Sequence, residues 1–212
     1  MSPRSDALQL FIDSAFEAFD HFAQAPQSRR SILQISSALE VPGVERRGHG
    51  SRLPVCSHLE PALSIETEHE PLRRLIDRFR AVEPFLAWRR RTGCDGSESA
   101  NFLEGHANAM IVGPGGLEER SDVWLGVTLM APHVRYPDHE HAPEEVYLVL
   151  SKGEFRQGEG EWFSPGLGGS FYNEPGIRHA MRSVDTPLLA FWALLAEPTQ
   201  GLLRFGIPAA TV

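Results

Sequence analysis

The sequence predicts a mainly β fold: an antiparallel β-barrel over residues 96–212 with an N-terminal α-helical region, residues 1–95, packed on it. Three observations lead there. Apolar residues in the first ninety or so positions recur at three- and four-residue steps, the period of an amphipathic helix. Beyond the stretch RTGCDGSESANFLEGHANA the rhythm changes to short apolar or alternating runs punctuated by Gly, Pro, Asn and Asp. Six or more such runs in about a hundred residues suit an antiparallel sandwich or barrel rather than a βαβ arrangement.

In DALQLFIDSAFEAFDHFAQA, Leu8, Phe11, Ala15, Phe16, Phe19 and Phe22 form the apolar stripe of a first helix. SRRSILQISSALE predicts a second, shorter helix. PLRRLIDRFRAVEPFLAWRRR opens with Pro71 at a first-turn position and places Leu72, Leu75, Ile76, Phe79 and Val82 on one face. Pro84 should kink or end that helix, because it lacks an N–H and crowds the preceding turn. Between the second and third helices, VPGVERRGHGSRLPVCSH reads as an irregular connection; its Gly- and Arg-rich part, residues 42–52, leaves open whether the N-terminal helices form a lid or merely cover the barrel. The predicted strands are AMIVGP, DVWLGVTLMAP, EEVYLVLSKGEF, GSFYNEP, RHAMRSV and PLLAFWALLAE.

Composition narrows the function classes. Hydrophobic residues at 42% and charged residues at 23% are ordinary for a globular chain. No apolar run is long enough to span a bilayer, and the N-terminal stretch, with acidic residues inside its apolar part, does not read as a signal peptide. A formal net charge of −8 argues against a nucleic-acid binder, which needs a basic face. Cys56 and Cys94 are too few for a disulfide framework, so inert thiols in a reducing, cytoplasmic setting are expected.

The chemistry concentrates in YPDHEHAPEEVY, residues 136–147. Successive side chains of a strand alternate between faces, and His139, His141, Glu145 and Tyr147 are all odd-numbered. Pro143 interrupts a regular strand, but a short turn there still returns Glu145 to the same cavity. Tyr147 and Val149 then look inward, while Val146, Leu148 and Leu150 pack on the opposite face. Two imidazoles and a carboxylate suit one divalent transition metal ion: Zn, Fe, Mn, Ni or Co. His179, at the start of a later strand 34 residues beyond Glu145, is placed to complete the set.

HEHAPEE fits the H-x-H-x3-E motif of the cupins through His139, His141 and Glu145, and GSFYNEPGIRH fits much of their second motif through Gly169, Pro175, Gly176 and His179. The resemblance implies a cupin double-stranded β-helix barrel with a site of three histidines and one glutamate. Gly153 falls one residue late, Pro175 and Gly176 adjoin, and Ser183 stands where the second motif has Asn. More narrowly, YPxHxHxxxExY, the preceding VWLGVTLMAPHVRYP and the later WFSPGLGGSFYNEPGIRHAMRS resemble the cupin-type bacterial dimethylsulfoniopropionate lyases over about residues 120–195. That resemblance implies His139, His141, Glu145 and His179 as metal ligands, Tyr147 as the catalytic base and Tyr136 as its active-site neighbour.

It also implies the small-molecule substrate dimethylsulfoniopropionate and a β-elimination to dimethyl sulfide and acrylate. An aromatic face attracts a sulfonium cation, so Trp162, Tyr172 and Trp192 are pocket candidates, with Trp162 preferred; core packing is the competing reading of each. His21, His49, His58, His69 and His106 have no ligand-like partner nearby in sequence, and His133 is out of register. Arg178 and Arg182 should face away from His179 and form surface or interstrand salt bridges. A dioxygenase, a sugar isomerase and a non-catalytic small-anion-binding cupin share the ligand set and stay open at this point. So does the oligomeric state, for which a homodimer is one outcome. Neither nucleic acid nor membrane is an expected partner.

Overall fold

The computed structural model describes residues 4–46, 48–93 and 95–196. Helix α1 spans Asp6–Phe22 and is capped by Ser5, whose hydroxyl accepts from the Leu8 N–H. Helix α2 spans Pro26–Leu39 and starts on its proline, two residues before the expected Ser28. Strand β1, Val44–Glu45, leads to a 3-10 turn at Pro54–His58 and the short helix α3, Leu59–Leu63. Helix α4, Glu70–Val82, carries Pro71 in its first turn and stops just before Pro84, as that residue requires. Its buried residues are the five apolar positions of the predicted stripe. Strand β2, Trp88–Arg89, and the one-turn helix α5, Phe102–Gly105, precede the barrel strands.

Those strands are β3 (His106–Val112), β4 (Glu118–Glu119), β5 (Val123–Met130), β6 (Glu145–Val149), β7 (Glu154–Gln157), β8 (Ser170–Asn173), β9 (His179–Arg182) and β10 (Leu188–Leu195). The large sheet runs in the order β1-β4-β3-β5-β10-β6-β8, with β2 also paired to β3. The smaller sheet pairs β7 with β9 and is widened by bridges from Arg135 to Arg182, His139 to His179 and Phe155 to Phe163. These two sheets face one another as a cupin barrel.

Alternation divides the large sheet into two faces with different partners. Ala107, Ala109, Ile111, Leu125, Val127, Leu129, Val146, Leu148, Leu189 and Phe191 join one apolar core with the buried faces of α1, α2 and α4. Phe11 and Phe79 of the helices lie 5.9 and 5.0 Å, ring centre to ring centre, from Phe191. The opposite face, with Trp124, Met130, Tyr147, Val149, Ala190, Trp192 and Leu194, lines the barrel interior together with Phe155 and Met181 of the smaller sheet. The predicted division of β6, with Tyr147 and Val149 inward and Val146, Leu148 and Leu150 outward, is the one observed.

The N-terminal half is bonded into the sheet as well as laid over it. β1 pairs with β4, and β2 pairs with β3 through Trp88–Ala109 and Arg89–Asn108. Arg4 forms a fully enclosed ion pair with Glu118 of β4, and Glu118 also accepts from the Gly43 N–H at 2.7 Å. The connection around residues 42–52 is tied down by Arg46 N–H to Leu117 O (2.8 Å) and Gly50 N–H to Pro84 O (3.0 Å). Cys56 is a buried free thiol; Cys94 lies outside the described residues. Among the described residues no helix is long and apolar enough to cross a membrane.

Candidate metal centre and active site

Three elements bring the candidate ligands together. The segment before β6 carries His139 and His141, Glu145 opens β6, and His179 opens β9. The bridge His139–His179, bonded by main-chain N–H···O contacts of 2.8 and 3.0 Å, fixes the first segment against β9. Donor atoms of His141, Glu145 and His179 all lie within 4.8 Å of one another, and all three residues are buried. Glu145 Oε2 is 3.4 Å from His141 Nε2 and 3.3 Å from His179 Nε2. Two donors at roughly 2.1 Å from one ion and about 90–110° apart would be separated by about 3.0–3.4 Å, so the spacing suits a shared cation.

His139 lies beside this trio rather than within it. Its ring centre is 4.1 Å from that of His179 and 6.4 Å from that of His141.

The tautomers suit ligation too. Nδ1 of His139 contacts Pro137 O at 3.0 Å, Nδ1 of His141 contacts Pro143 O at 2.8 Å, and Nδ1 of His179 contacts Ile177 O at 3.0 Å. A carbonyl only accepts, so Nδ1 carries the proton in each and Nε2 presents its lone pair. Asn173 of β8, the register partner of Glu145, donates to Glu145 Oε2 at 3.2 Å and is held by Gln157 Nε2 at 2.7 Å. Burial alone would raise the Glu145 carboxyl, but His141 and then His179 reverse this and hold it well below the usual carboxylate range. In turn, burial disfavours His141 charge, and the Glu145 carboxylate outweighs it and raises that imidazole. A buried carboxylate with imidazole nitrogens gathered around it is a fitting donor set for a divalent transition metal.

Tyr147 sits two residues beyond Glu145 on the same face, in a row that runs across the large sheet. Gly126, Trp192, Tyr147 and Phe171 are successive register partners on β5, β10, β6 and β8. Phe171 stacks on Tyr147 at 5.1 Å and 10°, and the Trp192 ring lies over Gly126, where an added Cβ would meet it at 2.2 Å. Burial first, then the Glu145 carboxylate, pushes the Tyr147 phenol well above 10. Tyr136 approaches from the segment paired with β9; its N–H donates to Met181 O at 2.9 Å and its ring is 5.2 Å from His139. A hydrogen-bonded chain connects it to the large sheet: Trp192 Nε1 donates to Thr128 (3.1 Å), Thr128 to Asn108 (2.6 Å), and Asn108 Nδ2 to the Tyr136 hydroxyl (3.0 Å).

The structure does not gather the three aromatic pocket candidates. Trp192 is inside the barrel beside Tyr147. Tyr172 lies on the helix-facing side, opposite Val146, with its hydroxyl bonded to Glu144. Trp162 precedes Phe163, whose bridge to Phe155 turns Phe163 inward and Trp162 outward. Guanidinium carbons of Arg182, Arg156 and Arg135 lie 4.3, 5.3 and 5.7 Å from its ring centre, so its π-face already carries cations. Arg182 pairs with its register partner Glu154, and Arg178 with Asp95, the surface and interstrand roles expected of them. Ser183 bonds Ala131 O and accepts from the Val134 N–H, closing the end of β9 where the second cupin motif has Asn.

Sequence reasoning missed Phe171, Asn173, Asn108 and Thr128. Phe171 and Asn173 had a usable signal, because Ser170–Asn173 is a strand whose odd members must face the same interior as Tyr147.

Fold and site together define a cupin with a buried histidine–glutamate centre faced by a phenol. A family model for dimethylsulfoniopropionate lyases matches residues 27–190, and the chain belongs to that family. A curated relative, the dimethylsulfoniopropionate lyase DddQ of Ruegeria pomeroyi, is 29% identical over 122 residues, covering 54% of this chain and 57% of the relative. The alignment thus spans little more than half the relative's length. The crystal structure of DddQ from Ruegeria pomeroyi DSS-3 superposes with a TM-score of 0.67 at 22% identity, over 92% of this chain and 94% of that one. A structure from a study of the lyases RdDddP and RnDddQII gives 0.68 at 22% identity over the same shares. At that identity both speak to the fold.

Proposed function

We propose that the protein is a metal-dependent carbon–sulfur lyase that cleaves dimethylsulfoniopropionate to dimethyl sulfide and acrylate, with Tyr147 as base. The observation that carries this reading is the buried His141–Glu145–His179 cluster with the Tyr147 phenol on the same interior face, in a chain of this family. His141, Glu145 and His179 would hold the ion, with His139 as the fourth ligand. Bound there, a divalent ion supplies Lewis-acid stabilisation of the charge that develops on a substrate carboxylate.

The chain's own residues do the rest. Tyr147 takes the proton from the carbon next to the carboxylate. The electron pair left behind forms the new C=C bond, and the C–S bond breaks with its pair going to sulfur. The sulfonium therefore leaves as a neutral thioether and the carboxylate product is acrylate. Tyr147 afterwards returns its proton to solvent. A phenol ordinarily titrates near 10, and burial beside Glu145 moves this one further up. Local positive charge must bring it into service, and the Arg91 charge acts in that direction. Phe171, Phe155 and Trp192 surround the phenol with apolar and aromatic surface that excludes water and suits a sulfonium.

The direct test is headspace detection of dimethyl sulfide from the metal-loaded protein and from a chelated control. Metal-dependent release above the alkaline background is expected. No release across Zn, Fe, Mn, Ni and Co would return the site to the oxygenase, isomerase or binding readings.

A further inference from the structure

We propose that Arg91 is the anchor for the substrate's carboxylate: its guanidinium forms a charge-assisted hydrogen bond to a small monocarboxylate entering the barrel. The identity of that monocarboxylate rests on the lyase reading; the anchor does not.

Arg91 follows β2, and the register Arg89–Asn108 carries it alongside the inward end of β3. Its main-chain N–H donates to His106 Nε2 at 2.8 Å. His106 is itself fixed: it is fully buried, its Nδ1 contacts Phe102 O, and its ring stacks on Phe102 at 3.8 Å and 3°. The backbone at residue 91 is therefore clamped to the barrel wall whatever side chain it carries.

The side chain points to the site. The guanidinium carbon is 5.8 Å from the centre of the Tyr136 ring, which lies 5.2 Å from His139. The hydroxyl of that Tyr136 ring accepts from Asn108 Nδ2 at 3.0 Å, inside the barrel wall.

Five other arginines of this end of the barrel already have acids, while Arg89 on β2 is exposed to solvent. Arg90 pairs with Glu104, Arg135 and Arg156 with Asp138, Arg178 with Asp95 and Arg182 with Glu154. Among the described residues Arg91 has no carboxylate partner; its Nε makes a long contact of 3.4 Å to Gly93 O. Glu145, the acid buried among the candidate ligands, is engaged with His141 and His179. A guanidinium held over a cavity without a counter-ion is suited to a carboxylate, which it meets with short, directional donors. Such a bond also strengthens as charge builds on the carboxylate during removal of the adjacent proton.

Propionate separates binding from turnover, because it keeps the carboxylate and lacks the leaving group. Its affinity is measured calorimetrically for the metal-loaded wild type, Arg91→Gln and Arg91→Lys, with thermal melts to confirm folding. The main-chain bond to His106 persists in both variants. The expected result is a loss of about tenfold or more for Arg91→Gln, with partial recovery in Arg91→Lys. KM for dimethylsulfoniopropionate should rise in parallel. Arg91→Gln binding propionate within about twofold of wild type, or a wild type that does not bind it, overturns the proposal. Arg91-dependent propionate binding in a wild type that releases no dimethyl sulfide would overturn the lyase reading and leave the anchor standing.

Discussion

His106 gives the structure a stability signature that pH should expose. Burial, despite the bond to Phe102 O, pushes its imidazole down to about 4 from its ordinary 6.5. Nε2 is already occupied as the acceptor of the Arg91 N–H, so a second ring proton would also break that bond. Between pH 6.5 and 4 the unfolded chain thus binds a proton that the folded chain refuses, and stability falls as pH is lowered through that window. Linkage for one such group gives a loss of about 2 kcal/mol between pH 7.5 and 5, almost none of it above pH 7.

Other groups titrate in the same range, so the comparison is between wild type and His106→Gln, whose amide can donate to Phe102 O and accept from Arg91 without titrating. Urea unfolding of both, in chelator, at pH 7.5 and pH 5 measures the difference of differences. His106→Gln should start lower, having lost the stacked ring, and should lose about 2 kcal/mol less on acidification. Equal losses in the two proteins, or a larger loss in the variant, would refute the account of His106 as a buried neutral acceptor.

Three further outcomes follow from the packing and the site. Gly126→Ala drives a methyl into the Trp192 ring, whose atoms would be 2.2 Å away, and should cost about 1–3 kcal/mol with a shifted tryptophan emission. Asn173→Ala removes the side-chain donor to Glu145, and metal affinity in a competition titration should fall about 10- to 100-fold while the melt changes little. Arg4→Ala strands the enclosed Glu118 carboxylate, leaving it, among the described residues, the Gly43 N–H and a distant Arg120, and should destabilise by about 3 kcal/mol in urea.

What the sequence reveals is what local periodicity can encode. The stripe of Leu72, Leu75, Ile76, Phe79 and Val82 announces α4, and the alternation of Val146, Tyr147, Leu148 and Val149 announces both faces of β6. The odd spacing of His139, His141 and Glu145, together with the remote His179, named four candidate ligands; donor atoms of His141, Glu145 and His179 lie within 4.8 Å of one another, with His139 beside them. Two-residue strands such as β1 and β2 leave no periodic trace, because two positions are too few to show an alternation.

The same limit explains Trp162. Its neighbours in sequence suggest a turn beside the cavity, but the bridge Phe155–Phe163 decides which face it takes, and that face carries Arg135, Arg156 and Arg182. His106 was unreadable for a related reason. Its significance lies in bonds to Phe102 O and to the N–H of Arg91, fifteen residues earlier, and neither is implied by the residues next to it.

The central claim is that the Tyr147 phenol, and not merely the buried histidine–glutamate cluster, carries out the elimination. Dimethyl sulfide and acrylate should therefore be quantified together for wild type and Tyr147→Phe, each assayed at the same measured metal content. The account predicts equal amounts of the two products from wild type and a loss of about 100-fold or more in Tyr147→Phe with its metal retained. Turnover by Tyr147→Phe within a few-fold of wild type would contradict it and move the base to another group.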